Sequence, residues 1–320
     1  MAINNGTDMN DGHGFQALAT AVAQGLTTEE KVDTALKRAL RQLFSVGLFD
    51  QPSATDWTQT IKKDVINSPE HQAARDDAAL QSIVLLQNDP LHPTLDASGS
   101  GSAGEAPLLP LAPGKKIAVL GPQAEARTGL LSDYAVEEAC ADGSDSCIVS
   151  IADAIKVANG GGDVNSSQGV EVNSLKRAGI LPALAMARAA DLVILALGID
   201  KSIEGEGRDR PGIGLPGVQS EFAELVLALR KPTVLVLTNG GPLAIDNLVA
   251  HTRSYAPVRR QNAADGTGRT NTDDDDGHRD ADGDGTDAVP PGPSAIVEAF
   301  NPNTNGATAL AKLLFGENRW

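Results

Sequence analysis

Aromatic side chains are scarce. Two tryptophans, two tyrosines and six phenylalanines stand among 320 residues, so Ala, Leu, Val and Ile must fill whatever core the chain builds. Basic residues are also in deficit: 26 Lys and Arg against 42 Asp and Glu leave a net charge of −16. Nucleic acid and anionic membrane both need a basic face, so neither is expected as a partner. No apolar run approaches the ~20 residues of a membrane-crossing helix. Cysteine is nearly absent. Cys140 and Cys147, with six residues between them, lie in the polar stretch EEACADGSDSCIVS, with no metal-ligand spacing around them. Such a pair suits a small disulfide in an oxidising compartment, or two free thiols. No cofactor is expected.

What is present is a hydrophobic content of 41%, enough for a sizeable core, in a length that suits one large or two ordinary domains. Residues 14–47 have helical periodicity. TTEEKVDTALKRALRQLFSVG offers Thr27 or Thr28 as N-cap, glutamates in the first turn and Gly47 as terminator. A further helix is expected from Ser68, with Pro69 in its first position, running into IVLLQN as a short buried strand. PLHPTLDASGSGSAGEAP (90–107) has linker composition. After it the texture changes. KKIAVLGP, DLVILALG, PTVLVLTNGG and SAIVEAF are short, continuous apolar runs, which marks parallel strands covered on both faces. Helical stretches alternate with them: SIADAIKVANG, LPALAMARAA, LPGVQSEFAELVLALRK and NGATALAKLLFG. The fold class is therefore α/β, a layered α/β/α sandwich with a mostly parallel sheet. An acidic insertion at 251–293 is read as solvated and disordered; Thr270–Asp287 within it carries eight aspartates. DADGDG (280–285) matches the opening of a calcium loop, but the twelfth position is Pro291, so no metal is expected there.

In an open α/β sheet, ligands are met at the carboxyl ends of the strands. The loop GIDKSIEGEGRDRPGIGLPG, from Gly198, follows such a strand and carries Glu204, Glu206, Arg208, Asp209 and Arg210. A solvated acidic turn paired with its arginines is the plain reading. The glycines, however, permit close approach, and arginines can fix carboxylate geometry in a fork. A carboxyl so held can donate a proton. Phosphate cradling is disfavoured, because the glutamates would repel it and no GxGxxG opens a helix.

GIDKSIEGEGRDR followed by LPGVQ resembles the corresponding loop of glycoside hydrolase family 3, most of all its β-xylosidase, α-L-arabinofuranosidase and β-glucosidase branches. NNGTDMNDG resembles the last strand of that family's (β/α)8 barrel, and TTEEKVDTALKRALRQLFSVGLFD its closing helices. HQAARDDAALQSIVLLQND resembles the interdomain segment. LPLAPGKKIAVLGPQA, VLVLTNGGPLAID and AIVEAFNPNTNGATALAKLLFGENRW resemble the sandwich domain. The resemblance implies residues 1–50 as the end of a barrel, 51–114 as interdomain segment and linker, and 115–320 as the sandwich. It implies hydrolysis of β-linked glycosides with retention, a barrel aspartate as nucleophile and a second-domain glutamate as acid/base. Glu204 best matches that glutamate, and Glu206 comes second. Arg208, Asp209 and Arg210 would shape the loop. A β-linked oligosaccharide is the expected substrate and secretion the expected localisation.

The family's nucleophile belongs to a Ser-Asp motif ahead of NNGTDMN, and no such motif is present. Asp8 is not that residue, and TDW at 55–57 is no substitute. This polypeptide is thus expected to need a barrel in cis or in trans, and alone to be inactive. The rival expectation is a pseudoenzyme or non-catalytic sugar-binding domain.

Overall fold

A computed structural model of the chain describes residues 2–51, 61, 63–88, 106–135, 140, 144–249 and 292–320. The TDW segment, most of the linker, the acidic insertion and its DADGDG tract lie outside the described residues. The chain divides into two compact units, Met1–Gln72 and Ala73–Trp320.

The first unit is helical among its described residues. A short helix α1 (Leu18–Ala23) precedes α2 (Glu29–Ser45). Thr28 is the N-cap of α2: its hydroxyl accepts the Lys31 N–H at 3.3 Å, and Glu29 and Glu30 sit beside the positive helix end. Gly47 ends it at φ +74°, with Leu48 N–H on the Leu43 carbonyl and Gly47 N–H on Phe44. That is the Schellman pattern, which requires the left-handed angle glycine supplies. Of the residues likened to a barrel strand, 4–12, none is in a strand: Asn4 and Asn5 end a 3-10 turn (Ala2–Asn5), and 6–12 form neither helix nor strand. A strand needs neighbours for its N–H and C=O groups, and this unit has no other strand among its described residues. Asp8 pairs with Arg38 at 3.2 Å on the surface.

Helix α3 (Pro69–Ser82) runs across the division and leads into the second unit. That unit contains a six-stranded sheet: β1 (Val84–Gln87), β2 (Ile117–Leu120), β3 (Val164–Ser167), β4 (Leu192–Gly198), β5 (Thr233–Thr238) and β6 (Ala295–Glu298). Their order is β1-β6-β5-β4-β2-β3, parallel throughout except that β1 runs antiparallel to β6. Every residue of β2, β4 and β5 is buried. Helices α4 (Ile151–Ala158) and α8 (Asn303–Leu314) pack on one face through Ile155, Leu310 and Leu314. Helices α5 (Ile180–Ala189), α6 (Gln219–Leu227) and α7 (Asp246–Val249) cover the other, where Phe222 is the largest fully buried side chain. The layered α/β/α sandwich is the architecture the apolar runs imply. β1 differs from the expected buried strand. It is an edge strand with Val84 42% and Leu86 56% exposed, because only one of its sides is paired and its residues alternate in exposure.

The order has one consequence for function. From β2 the chain goes outward to β3, then returns to place β4 on the other side of β2. The carboxyl ends of β2 and β4 are therefore the topological switch point, where connections diverge and leave a crevice.

Candidate functional site

The charged loop leaves β4 at this switch point. Its root is set by Gly198, at φ +149°, where any Cβ would overlap the Thr238 carbonyl oxygen of β5. Gln219, fully buried at the start of α6, accepts the Gly198 N–H at 3.0 Å and donates to the Gly198 carbonyl at 2.8 Å and to Val172 at 2.7 Å. The glutamine of LPGVQ thus clamps the last residue of the strand before the loop.

Beyond the root, Asp200 accepts the Ser202 N–H at 2.9 Å. Arg208 donates to the carbonyls of Lys201 (3.2 Å) and Ser202 (2.9 Å). Gly205 and Arg208 exchange backbone hydrogen bonds of 3.0 and 3.2 Å across a tight turn whose third residue, Gly207, has φ +72°. A type II turn demands that sign there, which explains the second glycine of EGEG. Glu206 stands exposed at the second position of this turn. Asp209 is exposed and makes no ion pair among the described residues.

The two glutamates have different surroundings. Glu204 is 30% exposed, and its carboxylate is paired with the Nε–H of Arg210, itself only 9% exposed. The same guanidinium donates to the Pro242 carbonyl in the turn after β5. Glu204 also lies against Gly241, where a Cβ would overlap its Oε1. Glu206 takes no part in this pair. Its N–H is held at 2.7 Å by Asp133 of the β2 arm, and its carboxylate is hydrogen-bonded by the Tyr134 hydroxyl. That hydrogen bond, with the charge beside it, raises the tyrosine's pKa. Sequence reading did not single out Asp133, Tyr134 or Gly241. Nothing in the sequence marks their role, although Gly241 lies within VLVLTNGGPLAID, because each acts through a contact with a distant part of the chain.

Glu298 is a further carboxyl at the carboxyl end of β6. Burial raises its pKa, against the lowering effect of the Phe300 N–H at 2.9 Å and of Asn239. As pH rises through the ordinary carboxylate range the unfolded chain loses this proton first, so stability falls until Glu298 ionises in the folded state as well. Glu298→Gln retains an acceptor for Phe300 and cannot ionise. Thermal melts are expected to show the variant more stable than the parent at pH 7, with the gap closing below the carboxylate range; parallel pH curves would count against this account.

Cys140 and Cys147 are joined by a disulfide, with a Cα–Cα separation of 5.6 Å. Among the described residues no three His, Cys, Asp or Glu side chains gather as a metal site, and no helix is long and apolar enough to cross a membrane.

Residues 83–263 match the glycosyl hydrolase family 3 C-terminal domain. A probable exo-1,4-β-xylosidase of Aspergillus terreus is 31% identical over 252 residues, covering 78% of this chain and 29% of that protein. β-D-xylosidase 1 of Arabidopsis thaliana is 33% identical over 249 residues, covering 76% and 29%. Among solved structures, a family 3 exo-β-xylosidase bound to a xylobiose aziridine activity-based probe superposes with a TM-score of 0.66 at 23% identity, covering 99% of this chain and 33% of that one. A β-glucosidase from Erythrobacter marinus superposes with a TM-score of 0.62 at 25% identity, covering 98% and 37%. The chain spans less than a third of the length of these curated relatives.

Proposed function

The chain belongs to glycosyl hydrolase family 3, and from that premise we propose that it supplies the acid/base loop of a retaining β-glycosidase. In such a reaction two carboxyl groups stand roughly 5–5.5 Å apart across the scissile bond, one attacking the sugar and the other protonating the leaving oxygen. The loop after β4 offers the second. The nucleophile would come from a (β/α)8 barrel, of which residues 1–50 would form the end.

The observation that carries this reading is the division of labour between Glu204 and Glu206. A proton donor must present its carboxyl to the substrate. Glu204 is closed in by Arg210 and Gly241, whereas Glu206 is exposed at the switch point with its backbone anchored. Glu206 is therefore the acid/base, and Glu204 holds the loop through its ion pair. On this reading the order that the motif alone suggests is reversed. Arg208 ties the loop to its own backbone, and Asp209 stays in solvent.

The substrate class is a β-linked pentoside. The SIEGEG form of the loop and the β-xylosidase names of the Aspergillus and Arabidopsis relatives both point to it. Xylan-derived oligosaccharides are then the natural source, and the disulfide fits a secreted protein.

One half of a carboxylate pair performs no double displacement. The 320-residue polypeptide alone is expected to hydrolyse aryl β-xylosides and β-glucosides no faster than its own Glu204→Gln and Glu206→Gln variants. A rate that depends on either glutamate would overturn the assignment of the nucleophile to a barrel. Calorimetry with xylobiose on the same polypeptide addresses the rival, purely sugar-binding role.

A further inference from the structure

The arm between β2 and α4 lies across the switch point from the charged loop, and it grips that loop at one place. Oδ2 of Asp133 accepts the Glu206 N–H at 2.7 Å. The same carboxylate is seated on Gly205, where a Cβ would come 2.9 Å from Oδ1. Only a residue without a side chain leaves that seat open. The next residue, Tyr134, puts its hydroxyl on the Glu206 carboxylate. Backbone and side chain of Glu206 are thus both held from the other side of the crevice.

The arm has its own stiffening. Leu131, Cys140 and Ile148 form a small buried cluster with Ala135 against it, and the Cys140–Cys147 disulfide closes this loop. Arg127 donates to the Ile148 carbonyl and pairs with Asp153 of α4 at 2.8 Å. None of these groups comes from the charged loop. The turn at 205–208 in turn keeps its two backbone hydrogen bonds and its Gly207 angle without any help from Asp133. What Asp133 adds is where the folded turn sits.

We infer that Asp133 is a positioning residue, which sets the Glu206 carboxyl over the switch point from the disulfide-closed arm. The inference rests on the reading of Glu206 as acid/base, but its physical content is tested without catalysis. The chain has two tyrosines, so Tyr255→Phe leaves Tyr134 as the sole phenol. In that background Asp133→Ala is compared with Asp133→Asn, whose amide oxygen still accepts the Glu206 N–H while the charge is gone. Loss of a hydrogen bond to a charged acceptor opens the amide, so Asp133→Ala is expected to speed Glu206 amide exchange about tenfold. Asp133→Asn is expected to leave it near the parent rate. Absorbance titration should show the Tyr134 phenol ionising at lower pH in the Ala variant than in the Asn variant, as Glu206 moves off the hydroxyl. Melting curves establish that both variants are folded. Equal exchange rates and equal phenol titrations for Ala and Asn would overturn the inference. A failure of Glu206 as acid/base would appear only in kinetics, so the two claims fail separately.

Discussion

Gly198→Ala is expected to lower the melting temperature of the sandwich by roughly 10 °C, from a loss on the order of 4 kcal/mol. Two costs add. The φ of +149° is strained for any residue with a Cβ, at about 1–3 kcal/mol. The Cβ would also overlap the Thr238 carbonyl oxygen, a backbone atom of the neighbouring central strand. Relief requires moving β5 away from β4 or twisting Gly198 off Gln219, which would strand buried polar groups that now bond each other. Gly207→Ala is the control. Its φ of +72° carries a similar strain, but nothing lies within 4 Å of the added carbon. Its expected cost is about 1 kcal/mol. Differential scanning calorimetry of both variants separates strain from contact. Equal melting temperatures would show that the β4–β5 junction yields easily, and the loop root would lose its claim to rigidity.

The contrast between these glycines also shows what a linear sequence makes legible. Apolar runs such as DLVILALG and PTVLVLTN announce themselves, because a central parallel strand is covered on both faces and is filled mainly by apolar residues; both strands are buried along their length. VNSS, the edge strand β3, has no such run, since half-exposed positions accept Asn and Ser. It is recognisable only once Ile117–Leu120 is in place to pair with it. The loop was legible as a unit for the opposite reason. Seven charges amid glycines have no business directly after a buried strand unless they meet something. Which glutamate is paired and which stands exposed was not legible. EGEG is nearly symmetric in sequence, and the symmetry is broken by Arg210, Gly241 and Asp133, whose contacts lie 6, 37 and 73 residues away along the chain.

That broken symmetry leads to the second large effect. In a polypeptide that joins this chain to a nucleophile-bearing barrel, Glu206→Gln is expected to lower kcat on xylobiose by about 10²–10⁴, the usual contribution of a general acid. The loss should shrink on aryl xylosides with good leaving groups, because these depart with little need of a proton. Breakdown of the glycosyl-enzyme then limits the rate, and azide, which needs no general base, should restore turnover and yield a β-glycosyl azide. Glu204→Gln should behave differently. Removing one partner of the Arg210 pair leaves a guanidinium that is 9% exposed without its carboxylate, so the loop shifts and stability falls. Its activity should decline on good and poor leaving groups alike, and azide should not rescue it. Rescue by azide in Glu204→Gln and not in Glu206→Gln would exchange the two roles, making Arg210 the group that tunes the acid and Tyr134–Glu206 a surface contact.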